Sequence, residues 1–306
     1  AQGHRNTTII LFTADHGELG MSHMGKSRYF EAATTTAYED PGEGAEVVLP
    51  LRQKGPFAYE ENNNVPLVVA TLADKRNAPV SAYLPKRNVD VRALASSVDV
   101  IPTLVEWAGQ RRAWYTRRFG RTLAALGMKT ALAGVSLTRV LKTPTHYQLA
   151  QWSDGRGGRQ WVLFTYDGAS TLDAHYAYLA VWGQCANAQI DVTKRGMLRG
   201  LYDGRYKYVR FFSPQDYQLN GDTFAALEYP ALITAGTSGQ DVQLFDRSTD
   251  RYETMNTAAS STLVAELNST LFQAMSAELR TTTRVPDTIA QVLDGNLSNC
   301  QFHTGY

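Results

Sequence analysis

Four apolar residues in a row, Ile9, Ile10, Leu11 and Phe12, lead into Thr13, and the run then stops on Asp15-His16-Gly17. A run this short and branched predicts a strand buried on both faces, as in a parallel sheet with helices on either side. The polar triplet then falls just past the strand's carboxyl end, where open α/β sheets hold their ligands. Asp and Gly also favour turns. On these three residues alone a polar turn is the plainer reading. A long polar passage from Glu18 to Asn64 follows, and "VPLVVATLA" (65–73) predicts a second short strand. Across 93–110, Val98, Ile101, Leu104, Val105 and Ala108 recur at helical spacing. Ser97 or Asp99 can cap that helix, Gly109 ends it, and Pro102 falls in its first turn, where proline is tolerated.

From about residue 160 the texture changes. "RQWVLFTYDG", "AYLAVWG", "GMLRGLYDGRYKYVRFF" and "DVQLFDR" are short runs of aromatic and branched residues separated by Gly and Asp turns. "YDGRYKYVR" reads as a hairpin turning at Asp203-Gly204. Leu263, Leu267, Leu271, Ala274, Met275 and Leu279 then mark an amphipathic closing helix over 261–282. The order predicts an α/β chain: a parallel α/β segment over 1–158, then a smaller α+β subdomain over 159–306 in which a helix packs on an antiparallel sheet.

Composition narrows the class. With 306 residues and 43% hydrophobic content, the chain can build a substantial core. Thirty basic residues against 29 acidic ones leave a net charge of +1, which gives no global footprint for nucleic acid and leaves only a local patch open. The basic stretch 111–129 reads as a solvated face. No stretch approaches the roughly 20 apolar residues of a membrane span. Cys185 and Cys300 are too few for a disulfide framework; they form one bridge or stay as two thiols. Sequons at Asn6, Asn268 and Asn296 lean towards a periplasmic or secreted location without establishing one. "AQGHRNTT" lacks the apolar core of a signal peptide and stands directly before the first strand, so an upstream part is expected to be missing.

Three segments in order, "FTADHGELGMSHMG", "LRQKGPFAYEENNNVPLVV" and "SSVDVIPTLVEWAG", resemble the sulfatase family. The likeness is to bacterial arylsulfatases in particular, within the alkaline phosphatase superfamily. "LAGVSLTRVL", "GLYDGRYKYVRFF" and "QLFDRSTDRYETMNTA" are similar to later parts of that family. The resemblance implies part of an alkaline-phosphatase-like mixed sheet flanked by helices, a sulfate ester as substrate, and one divalent metal ion. Asp15 then matches a metal ligand, and His16 a position that contacts metal or substrate. Ca²⁺ is the usual ion in arylsulfatases, and an imidazole at 16 leaves Mn²⁺ or another transition ion open. Lys54 matches the lysine that reaches the sulfate oxygens, where an ammonium stabilises charge on the leaving oxygen. Lys26 is its rival, and the sequel "YEENNNVPLVV" decides for Lys54. Residues 26–50 are then an insertion at the rim of the site. His23 matches a loop histidine that hydrogen-bonds sulfate or acts as a general acid. Tyr59 and Glu60 are expected to support Lys54, and Asp99 to cap its helix. His146, His175 and His303 match nothing in the pattern.

The family's formylglycine, made from Cys or Ser in Cys/Ser-x-Pro-x-Arg, and its preceding Asp-Asp pair have no counterpart here. Both stand upstream of Asp-His-Gly in family order. The expectation is therefore the carboxyl-terminal part of a sulfatase, inactive alone, whose partner is the missing amino-terminal part of the same enzyme. A phosphonate or phosphate monoester hydrolase, or an inactive chain that only binds, are the alternatives. Oligomeric state stays open.

Overall fold

The computed structural model describes residues 7–20, 22–27, 47–50, 57–72, 84, 89–125, 134–142, 159–167, 197–212 and 241–278. Lys54, Cys185, Cys300, Asn6, Asn296, His146, His175, His303 and the run at 177–183 lie outside them.

The opening apolar run is a strand, β1 (Ile9–Thr13), and "LVVAT" is its partner β4 (Leu67–Thr71). The two pair antiparallel, from Ile9 opposite Thr71 to Thr13 opposite Leu67. This corrects the parallel, doubly buried neighbourhood expected for β1. An unbroken apolar run does not fix strand direction, which depends on the path of the chain between the two strands. Burial differs too: Phe12 is 60% exposed and its cross-strand partner Val68 51%, with Ile10 exposed on the same face. Between the two strands, β2 (Met24–Ser27) pairs antiparallel with β3 (Val47–Pro50). The ends of the 26–50 insertion are thus pinned to each other as a ribbon, with Lys26 opposite Val48.

The carboxyl-terminal part matches its pattern closely. Strands β5 (Val162–Asp167), β6 (Met197–Tyr202), β7 (Tyr206–Phe212) and β8 (Asp241–Asp246) form an antiparallel sheet in that order. The β6–β7 turn falls at Asp203-Gly204. Asp203 Oδ1 accepts the N–H groups of Arg205 (2.8 Å) and Tyr206 (2.7 Å), and Gly204 takes φ 101°, a left-handed angle that glycine adopts without a Cβ clash. Period-two alternation then sorts the sheet's side chains. Leu201, Tyr208 and Leu244 face Leu267, Leu271, Ala274 and Met275 of the closing helix (Val264–Glu278). Leu198 and Val209 face the other way, onto Ala58. The central strands are therefore buried on both sides, and burial carries the Tyr208 hydroxyl pKa up to about 12. The sequon residue Asn268 lies in this helix, its Oδ1 accepting from Tyr208 Oη (3.1 Å) and Arg210 Nη1 (2.9 Å).

Helix α2 (Val100–Trp107) follows a short 3-10 turn, and Gly109 closes it at φ 73°. Asp99 does more than cap. Its fully buried carboxylate accepts the N–H of Ser96 (2.9 Å), the N–H of Val135 (2.8 Å) and two nitrogens of Arg159 (2.7 and 2.8 Å). Arg159 continues to Glu278 at the end of the closing helix (2.6 Å). Burial opposes charge on this guanidinium, but Asp99 and Glu278 outweigh it and raise its pKa. One carboxylate thereby joins α2, the 134–142 segment and the closing helix. Helix α3 (Arg112–Ala125) follows α2 with an exposed arginine-rich surface, as its composition predicts.

Candidate functional site

The Asp-His-Gly loop leaves the carboxyl end of β1 and docks on the turn around α1 (Glu60–Asn63). Gly17 makes the docking possible. Its N–H donates to Asn62 O at 2.9 Å, and its Cα lies so close that a Cβ would stand 1.8 Å from Glu61 O. Only glycine fits there.

Asp15 and His16 are set beside this contact. The Asp15 side chain is 84% exposed and that of His16 35%. His16 N–H donates to Asp15 Oδ1 (3.1 Å), and His16 Nδ1 meets the Gly17 carbonyl at 2.8 Å. A carbonyl can only accept, so Nδ1 carries the proton, and a neutral ring then has a lone pair at Nε2. That Nε2 lies 3.3 Å from Asp15 Oδ2. Two lone pairs at this separation ask for a cation or a proton between them. Ligands at right angles on an ion with bonds of about 2.2 Å stand about 3.1 Å apart, so the pair has the bite of adjacent metal ligands. Carboxylate oxygen with imidazole nitrogen suits a divalent ion of intermediate softness. Among the described residues no group of three or more His, Cys, Asp or Glu gathers to complete such a centre. Asp15 and His16 could serve as two ligands of such a centre.

His23 sits on the same turn from the other side. Its ring is 8% exposed, stacks on Tyr59 with centroids 3.7 Å apart and planes 10° from parallel, and places Nε2 2.9 Å from Glu61 Oε2. Burial pushes the Glu61 carboxyl up, but its own backbone N–H, the His23 hydrogen bond and the charges of His23 and Lys207 hold its pKa below the usual carboxylate range. The sign follows: a depressed carboxylate stabilises the fold above its unfolded pKa, and that stabilisation is lost as pH falls through the folded one. The Glu61 carboxylate is therefore expected to hold its place against His23 until pH falls below the usual carboxylate range. The side-chain carboxyl NMR signal of Glu61 followed through an acid titration checks this. A midpoint at or above that of an ordinary glutamate would contradict it.

What holds the turn lies below it, in the sheet. Lys207 and Glu253 are fully buried and paired at 2.5 Å. Glu60 lies against both Lys207 (3.1 Å) and Arg247 (2.9 Å), and Arg247 returns to Glu253 (3.1 Å). Glu253 Oε2 also accepts the Glu60 backbone N–H at 2.8 Å. Two cations and two carboxylates close a balanced ring that seats the Tyr59–Asn63 turn on β7, β8 and the chain following them. Glu253 itself takes φ 55°, a left-handed angle uncommon for a residue with a side chain.

The structure thus brings Asp15, His16 and His23 onto one turn. Tyr59 and Glu60, expected behind Lys54, meet His23 and Lys207 here. Glu61 stood in the quoted Tyr-Glu-Glu without an assigned role, and Lys207, Arg247 and Glu253 were not singled out at all. A separation of some 190 residues between Glu60 and Glu253 leaves no local pattern to read.

No family model matches the sequence, and no curated protein matches it. Solved structures do. A protein in complex with its substrate D-glucosamine-2-N,6-O-disulfate matches 92% of this chain at 15% identity and TM-score 0.49. A sulfatase-like protein from Bacteroides thetaiotaomicron matches 94% at 16% identity and TM-score 0.47. The phosphonate monoester hydrolase of Silicibacter pomeroyi matches 91% at 18% identity and TM-score 0.45. This chain spans 36%, 41% and 36% of those three proteins' lengths.

Proposed function

We propose that this chain supplies part of the active site of a metal-dependent sulfate-ester hydrolase. The observation that carries the reading is the convergence of His16 Nε2 and Asp15 Oδ2 at the end of β1, on a loop that only glycine lets dock. Asp15 and His16 would hold the ion, Ca²⁺ as the resemblance implies or Mn²⁺ as the imidazole donor favours. A bound divalent ion supplies positive charge against a tetrahedral anion. Lys54 is assigned to the leaving oxygen of the ester. His23, clamped between Tyr59 and Glu61, keeps the loop seated and presents one fixed ring to the site. The nucleophile, a formylglycine, is assigned to an amino-terminal part of the same enzyme. One feature favours such a complement: among the described residues β1 and β4 pair only with each other and carry an exposed apolar face, and isolated pairs of strands are marginal in water.

The test joins this chain to an amino-terminal segment bearing Cys/Ser-x-Pro-x-Arg and compares aryl sulfate with phosphonate ester turnover. Asp15→Asn is expected to lose most of the metal and nearly all turnover with the fold retained. Lys54→Ala is expected to keep the metal and turn over slowly, because its partner is the substrate anion. Elemental analysis beside turnover separates the roles. An Asp15→Asn protein that binds metal as the parent does would reduce Asp-His-Gly to a turn.

A further inference from the structure

Between Glu106 and Asp154 the sequence has no acidic residue and eight cations, in a chain whose net charge is +1. Five of those eight are arginines at 111, 112, 117, 118 and 121, in or beside α3. Trp114, Arg117, Arg118 and Arg121 stand at i, i+3, i+4 and i+7, which places them on one face of the helix. Arg117, Arg118 and Arg121 are exposed. Among the described residues none of the three pairs with a carboxylate. Trp114 is half-buried among them, edge-on to Phe119 at 5.8 Å, and the Arg118 guanidinium lies 5.9 Å from the Phe119 ring. An ordinary solvated helix face alternates charge sign, since like charges at i, i+4 repel. This face has only one sign, and Lys contributes nothing to it. Arginine in place of lysine favours planar, two-pronged recognition of an oxyanion, and the aromatic between the arginines offers a flat apolar surface.

We propose that the Trp114–Arg121 face of α3 is a docking site for a sulfated polysaccharide, separate from the Asp15–His16 site. The choice of a sulfated glycan over other polyanions rests on the sulfate-ester reading above, and it makes the substrate a polymer held at two places. The face spans about 10 Å along the helix axis, enough to meet successive charges on one chain.

The test is binding without turnover. Retention of a heparin-derived decasaccharide is measured against salt for the parent and for Arg117→Ser/Arg118→Ser/Arg121→Ser. These exposed positions should leave the melting temperature unchanged. We expect the triple variant to bind at least tenfold more weakly at 50 mM salt, with the slope of log affinity against log salt lowered by about two to three. The desulfated, N-acetylated decasaccharide, which keeps its carboxylates, should bind the parent at least tenfold more weakly than the sulfated form. Equal binding by parent and variant would overturn the proposal. So would tighter binding to a duplex DNA of equal charge or to phosphatidylserine vesicles. Turnover of a small aryl sulfate by the joined enzyme should be the same with and without the three serine substitutions, so failure of the hydrolase reading and failure of this site are told apart.

Discussion

Glu253→Ala unfolds the chain at markedly lower denaturant, by about 3–5 kcal/mol, because it leaves Lys207 buried with half its neutralising charge. Lys207 is fully buried, and Glu253 is its shortest contact. The variant also strips the Glu60 N–H of its acceptor. Replacing one cation and one carboxylate together, as Lys207→Met with Glu253→Gln, leaves Arg247 and Glu60 as a balanced pair. Its cost is expected to fall well below the sum of the single changes. Equilibrium denaturation of the parent, Lys207→Met, Glu253→Gln and the double variant measures the coupling. Strict additivity would mean that the four charges do not act as a ring.

Gly17→Ala is expected to undo the site while sparing the sheet. The new Cβ would meet Glu61 O at 1.8 Å and the Glu61 carbonyl carbon at 2.8 Å, both backbone atoms that cannot rotate away. The loop must lift, and the bond from Gly17 N–H to Asn62 O breaks with it. The consequence for Asp15 and His16 is loss of their setting against α1, so Mn²⁺ added to the protein should no longer broaden the His16 imidazole signal selectively. Amide exchange at residue 17 should accelerate by at least tenfold, while the amides of β6 and β7 keep the parent's protection. An alanine variant with unchanged exchange at 17 would show that the loop does not need this close approach.

The same loop shows where sequence legibility ends. The strand before Asp-His-Gly was plain from four apolar residues, and the turn from its Asp and Gly. The hairpin at Asp203-Gly204 and the closing helix were equally plain. Each of these is a local matter: side-chain period, a left-handed glycine, a polar residue that satisfies the backbone at a turn. Asp15, His16 and Gly17 by themselves read as a turn, and they became candidate site residues only through the resemblance carried by the longer segments around them.

Tertiary structure decided the rest. The direction of β1 against β4 depends on the path of the chain between them, which an unbroken apolar run does not encode. Asp99 read as a cap, and its meeting with Arg159 across 60 residues made it a junction of three segments. His23 read as a loop histidine that binds sulfate or acts as a general acid, and only the folded chain sets it on Tyr59 against Glu61. The ring of Lys207, Glu253, Arg247 and Glu60 is the clearest instance. Charged residues are by default solvated and therefore unremarkable in a sequence, and burial alone makes their pairing compulsory. The amino-acid sequence by itself determined the elements and the Asp-His-Gly loop, because those depend on neighbours along the chain. The folded structure determined which distant charges hold that loop in place, because a buried charge takes its partner from space and not from sequence.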